Sequence, residues 1–269
     1  AYRAPTRQVF QASLLSLSSG NANASKVRIR SALQFLAGGT ADAGALDPAM
    51  ASWPRPGVND VVIFTFAGHG FTTAEGMFYL VPQDTGAGQG RAITGDLTAR
   101  SISAAELYAW LEPLDVAKVA IIIDACNSSA AIDAEGFRPG PSEARTLGQL
   151  AYDKGMTVLA AAAGDQSALE FDSLQHGLLS WVLVKDGMES GKADREPANK
   201  RITIREWLSY AVARTPELAR SLAKGEPLDG RGASLAKGVR QILDEPTLQQ
   251  PKLFDYGSGD FDLKRLLAD

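Results

Sequence analysis

The sequence predicts an α/β protein, with a mostly parallel central sheet covered by helices on both faces, in a single domain over residues 1–269. Three observations carry this expectation. Apolar runs of strand length recur at residues 61–67, 119–126 and 156–163, and they lack the polar alternation of a half-solvated strand. Helix-like stretches with identifiable caps lie between and after them. Small polar residues or glycines close the first two runs, as in Gly68-His69-Gly70 and Asn127-Ser128-Ser129.

Taken in order, residues 9–17 (VFQASLLSL) read as a first strand. Ser25 can cap a helix over 26–37, with Val27, Ile29, Leu33, Phe35 and Leu36 facing inward and Gly38-Gly39 ending it. A Gly-, Ala- and Pro-bearing loop leads to the strand 61–67, and residues 76–82 read as a short strand after a turn. Ser103-Ala104-Ala105-Glu106 is a capping box that opens a helix to about Leu111, halted by Pro113. The strand ending at Cys126 follows, then an irregular stretch 128–147 and the strand 156–163. Residues 177–188 and 204–212 read as helices, the second capped by Thr203; 220–240 is glycine-rich and looser, and 251–263 holds a last strand.

Composition narrows the function. With 45% hydrophobic and 22% charged residues the chain can bury a core and has no signature of disorder. A net charge of −4, without a Lys/Arg cluster, argues against nucleic acid as a partner. No apolar run approaches the ~20 residues of a membrane span, and no signal-peptide pattern is present. One cysteine and two histidines cannot form an internal disulfide or a cysteine-rich zinc site. No metal or other cofactor is expected, because no run resembles a cage of oxygen ligands for calcium. A lone free thiol fits a reducing, cytoplasmic setting.

The thiol is also placed for chemistry. Cys126 ends one strand and His69 follows another, at the carboxyl edge where sites gather in open α/β sheets. A thiol becomes a useful nucleophile when a base takes its proton, and an imidazole does this and can return the proton to a leaving amine. Gly68 and Gly70 would let the chain turn tightly around His69, and the amides of Gly70 and Cys126 are candidate oxyanion donors. The segment Asp124-Ala125-Cys126-Asn127-Ser128 has no flanking glycines, so it does not match a nucleophile elbow. His176 lacks a carboxylate or cysteine companion and reads as structural, and Trp53, Trp110, Trp181 and Trp207 read as packing residues.

The pair of strands ending in Gly68-His69-Gly70 and Asp124-Ala125-Cys126-Asn127-Ser128 resembles the caspase-like cysteine peptidases, in their metacaspase and bacterial orthocaspase branch. Gly76-Met77-Phe78-Tyr79-Leu80-Val81-Pro82, Ile102-Ser103-Ala104-Ala105-Glu106-Leu107 and the run from Ala162 to Glu170 extend the likeness. So do His176-Gly177-Leu178-Leu179-Ser180, Ile202-Thr203-Ile204-Arg205-Glu206 and Gln250-Pro251-Lys252-Leu253-Phe254. The resemblance implies a three-layer caspase-like fold, with residues 1–127 as the large-subunit part, 128–154 as a linker and 155–269 as the small-subunit part. It implies a cysteine endopeptidase in which His69 is the base and Cys126 the nucleophile. Asp124 stands where the metacaspase branch has an S1 carboxylate, which implies protein or peptide substrates with Arg or Lys at P1, held by charge-assisted hydrogen bonds. Some relatives need calcium, which nothing in this sequence supports. The family's first strand has no counterpart before Val9, which implies further parts of a larger chain and a sheet with unpaired backbone. A catalytically silent scaffold or regulatory domain of the same fold is the alternative.

Arg138 and Arg145 lie in the linker, where a peptidase selecting basic residues would cut itself. Intact-mass measurement should find wild type cleaved after one of them and Cys126→Ala whole; two uncut masses would remove self-processing.

Overall fold

The computed structural model describes residues 13–17, 24–73, 77–85, 95–127, 152, 155–161, 170–171, 176–223, 250–257 and 259–263, with the backbone alone at Thr72, Cys126, Asn127, Glu170, Phe171, His176 and Ala223. The central sheet has six strands: β1 (Val61–Thr72), β2 (Phe78–Val81), β3 (Ile102–Ser103), β4 (Lys118–Asn127), β5 (Thr157–Ala160) and β8 (Lys252–Asp255). Two short strands, β6 (Glu170–Phe171) and β7 (His176–Gly177), form a separate antiparallel pair. The order across the main sheet is β3-β2-β1-β4-β5-β8. Its centre, β1-β4-β5, is parallel, and β2, β3 and β8 add antiparallel pairings at the flanks. The sheet is therefore mixed, parallel only in its middle.

Helix α1 (Lys26–Leu36) begins where Ser25 accepts the Arg28 amide through Oγ at 3.3 Å. It ends in a Schellman motif: the Gly39 amide donates to the Gln34 carbonyl and the Gly38 amide to the Phe35 carbonyl, with Gly38 at φ +76°. Its inward face is shifted from the expected one. Ile29, Ala32 and Leu33 are buried with Ser31, whereas Val27 is 36% exposed. A short helix α2 (Gly95–Arg100) precedes β3, and α3 (Ala104–Leu111) opens with the full Ser103–Glu106 capping box. Lys26 pairs with Glu106 at 2.7 Å and so ties the start of α1 to the start of α3.

β4 sorts the core by its period of two. Val119, Ile121, Ile123 and Ala125 pack with Ile29 and Leu33 of α1 and Leu107, Trp110 and Leu111 of α3. Ala120 and Ile122 pack on the opposite face, against α4 (Leu178–Trp181), its π-helical continuation Val182–Glu189, and α5 (Ile204–Ala223). Helices thus lie on both faces of the parallel centre. Over β1 the α4–α5 face is open instead: Ile63, Thr65, Ala67 and His69 are exposed. Among the described residues no strand pairs with one edge of β1 over 61–68, since β2 pairs with it only from His69 onward while β4 lines its other edge from Val61 to Gly70.

Several expectations change. Residues 13–17 contain no strand, and the rest of the expected first strand lies outside the described residues. The helix expected over 204–212 runs on to Ala223, through Pro216. Thr203 caps it as expected, in a reciprocal pairing with Glu206. The linker 128–154, with Arg138 and Arg145, lies outside the described residues except for Tyr152, as does 224–240. The last strand is where it was expected, at Lys252–Asp255, antiparallel to β5. No described helix is long and apolar enough to cross a membrane.

The π-helical segment is locked to α5 by Asp186, which is 1% exposed. Its carboxylate accepts from Lys192 Nζ, Tyr210 Oη and Arg214 Nε. Burial pushes its pKa up, but the hydrogen bonds from Lys192, Tyr210 and Arg214 and the Lys192 charge outweigh this and hold it below the ordinary value. A depressed carboxyl contributes stability that is present above the unfolded-state pKa, about 3.9, and is lost as pH falls through the folded value. Urea titrations should therefore show wild type weakening below about pH 4. Asp186→Asn should lose about 2 kcal/mol near neutrality and show a shallower acid-side slope; an unchanged slope would contradict this account.

Candidate active site

The parallel register of β1 and β4 makes His69 the Cα partner of Cys126. Adjacent strands lie about 4.8 Å apart, so the two residues are immediate neighbours across the ladder. They also fall on one face. On β4, positions 124 and 126 continue the series of Ala120 and Ile122, which faces α4 and α5. On β1, Val62, Phe64 and Phe66 pack toward α1 and α3, so position 69 belongs to the opposite face, the exposed shelf of Ile63, Thr65 and Ala67.

Beside this pair the described strands differ in length. β5 pairs with β4 only as far as Ile123, opposite Ala160, and the Ala161 amide closes the ladder on the Ile123 carbonyl at 2.8 Å. Residues 124–127 of β4 reach beyond that point, held by β1 on one edge. The start of α4 occupies the ground next to them. Asp124, 7% exposed, accepts from the Ser180 amide at 3.0 Å and from Ser180 Oγ at 2.5 Å, both on Oδ2. Gly177, at the N-cap of α4, lies so close that a Cβ there would stand 2.6 Å from the same oxygen.

His69 is not at a strand end. β1 continues through Gly68-His69-Gly70 to Thr72 because β2 folds back on it, pairing His69 with Val81 and Thr72 with Phe78. The tight turn expected of the two glycines is therefore absent, and neither has a positive φ. Gly70 is required by packing instead: a Cβ would stand 2.9 Å from the Phe78 ring and 3.2 Å from Ala125 Cβ. The two expected oxyanion donors sit within the sheet, Gly70 between Leu80 and Asn127, and Cys126 beside His69.

Other residues separate from this group. Asp84 accepts the Lys26 amide at 2.9 Å and serves the start of α1. Trp110 and Trp181 are buried, and Trp207 donates its indole N–H to the Leu183 carbonyl at 2.8 Å. His176 lies in β7, opposite Phe171. Among the described residues no group of three His, Cys, Asp or Glu side chains could hold a metal ion. Sequence reasoning assigned no role to Ser180 or Gly177. The available signal was a glycine followed three residues later by serine at a helix start, the spacing of an N-cap and its third helical residue.

The arrangement can bring an imidazole beside a thiol-bearing position, with a fixed carboxylate two residues upstream, on a face open to solvent over β1. Compared with known proteins, the chain matches no family model and no curated protein.

Gly70→Ala should cost about 1–3 kcal/mol of stability by overpacking, read by urea denaturation. Phe78→Leu in the same chain should recover part of that loss; strictly additive losses would place the clash elsewhere.

Proposed function

We propose that the chain is a cysteine endopeptidase that cleaves proteins or peptides after Arg or Lys, with Cys126 as nucleophile and His69 as base. The observation that carries this reading is the register of His69 on Cys126 in neighbouring parallel strands. In the proposed reaction His69 takes the Cys126 proton and the thiolate attacks the scissile carbonyl carbon. The amides of Gly70 and Cys126 are the candidate donors to the resulting oxyanion. The C–N bond breaks as the imidazolium returns its proton to the leaving amine, which leaves a thioester on Cys126. Water, deprotonated by His69, then releases the acid and restores the thiol.

Asp124 is the proposed P1 selector. Its register neighbour on β1 is Ala67, exposed and carrying only a methyl group, and in the proposed complex a long basic side chain lies over β1 toward the carboxylate. A guanidinium meets a carboxylate through charge-assisted hydrogen bonds that a neutral side chain cannot supply. The caspase-like identity and a reducing, cytoplasmic setting belong to the same proposal. A scaffold or regulatory domain of this fold is the second reading, favoured by the edge of β1 over residues 61–68, which no described strand pairs and which can accept a strand from elsewhere.

A fluorogenic panel with P1 Arg, Lys and Asp tests the enzyme reading. Arg and Lys peptides should be turned over and the Asp peptide should not. Cys126→Ala should abolish turnover, and His69→Ala should lower kcat by about 10²–10⁴. Turnover of the Asp peptide alone would reverse the specificity, and no turnover of any peptide would favour the scaffold.

A further inference from the structure

We infer that Ser180, with Gly177, positions the Asp124 carboxylate and thereby sets how tightly a basic P1 side chain is held. The inference rests on the reading of Asp124 as the P1 selector. A carboxylate this buried needs hydrogen-bond donors to remain charged in place. Ser180 supplies two, its amide and its hydroxyl, and both converge on Oδ2. Two donors on one oxygen fix the orientation of the group. Gly177 closes the other side: its bare Cα lies against Oδ2, and a Cβ there would also stand 3.1 Å from Cγ and Oδ1. The carboxylate is thus confined between a donor pair and a wall with no side chain.

The donor pair is itself anchored. Leu178, Leu179 and Val182 are fully buried around Ser180, and the helix is tied to α5 through the Trp207–Leu183 and Asp186–Tyr210 hydrogen bonds. Ser180 is therefore presented from a rigid element, and rigidity of this kind is what recognition of a planar guanidinium needs.

The test uses the whole chain and two readouts: binding of benzamidine by calorimetry, which needs no turnover, and kinetics on a P1-Arg and a P1-norleucine peptide. Ser180→Ala should weaken benzamidine about tenfold and raise KM for the Arg peptide by a similar factor, with the effect on KM rather than kcat and little change for norleucine. Ser180→Thr, which keeps the hydroxyl, should bind as wild type does. Ser180→Val, of the same shape without it, should behave as Ser180→Ala, so this pair decides the matter even if the alanine variant does not fold. Gly177→Ala should weaken benzamidine through the clash alone. Asp124→Asn separates the layers of the argument. If it binds benzamidine as wild type does, or if wild type binds none, the P1 reading falls and this inference falls with it. If it loses binding while Ser180→Val keeps it, the Ser180 inference alone is overturned. Equal losses on Arg and norleucine peptides in Ser180→Val would likewise overturn it, because they would mark a general structural role.

Discussion

The parallel ladder between β1 and β4 is the constraint on which the rest depends. Ten successive register pairs, from Val61 opposite Lys118 to Gly70 opposite Asn127, leave no freedom in the relative position of residues 69 and 126. A slip of one residue would turn Ile121 and Ile123 away from α1 and α3 and bring Ala120 and Ile122 in their place. The two hydrophobic clusters therefore enforce the pairing that brings imidazole and cysteine side by side. The site's alignment is a by-product of core burial on both faces of β4.

A second dependence runs from the helices to the carboxylate. Asp124 sits where β4 outruns β5, and no described strand pairs with it on that side. The start of α4 lies there instead, and α4 is placed by its own buried leucines and by the polar lock of Asp186 with Lys192, Tyr210 and Arg214. Buried polar groups of this kind demand specific partners. The lock thus connects residues of α5 to the surroundings of Asp124. The shelf on β1 has the opposite character: Ile63, Thr65, Ala67 and His69 are exposed to solvent.

Much of this was legible in the sequence because it is local. The Ser25 and Ser103 caps, the Gly38-Gly39 stop and the Thr203 cap depend on residues within one or two turns of each other, and each formed where expected. The apolar runs announced β4 and β5 for the same reason, since a continuous run of Ile and Val has few alternatives to a doubly buried strand. Where a partner from elsewhere was needed, the local reading went astray. Gly68-His69-Gly70 suggested a turn, yet β2 returns to extend the strand through it. Residues 13–17 have the composition of a strand and no strand partner among the described residues.

By itself, then, the sequence determined the capped helix starts and the apolar runs that become strands, because hydrophobic period and capping chemistry are written in adjacent residues. Tertiary structure decided the rest. It fixed the pairing of His69 with Cys126, the glycine demanded at position 70 by Phe78, and the hold of Ser180 and Gly177 on Asp124. These join residues from 8 positions apart, as for Gly70 and Phe78, to 57 apart, as for His69 and Cys126. Contacts of that kind depend on strand order, strand length and helix placement, which only the packing of the whole chain settles.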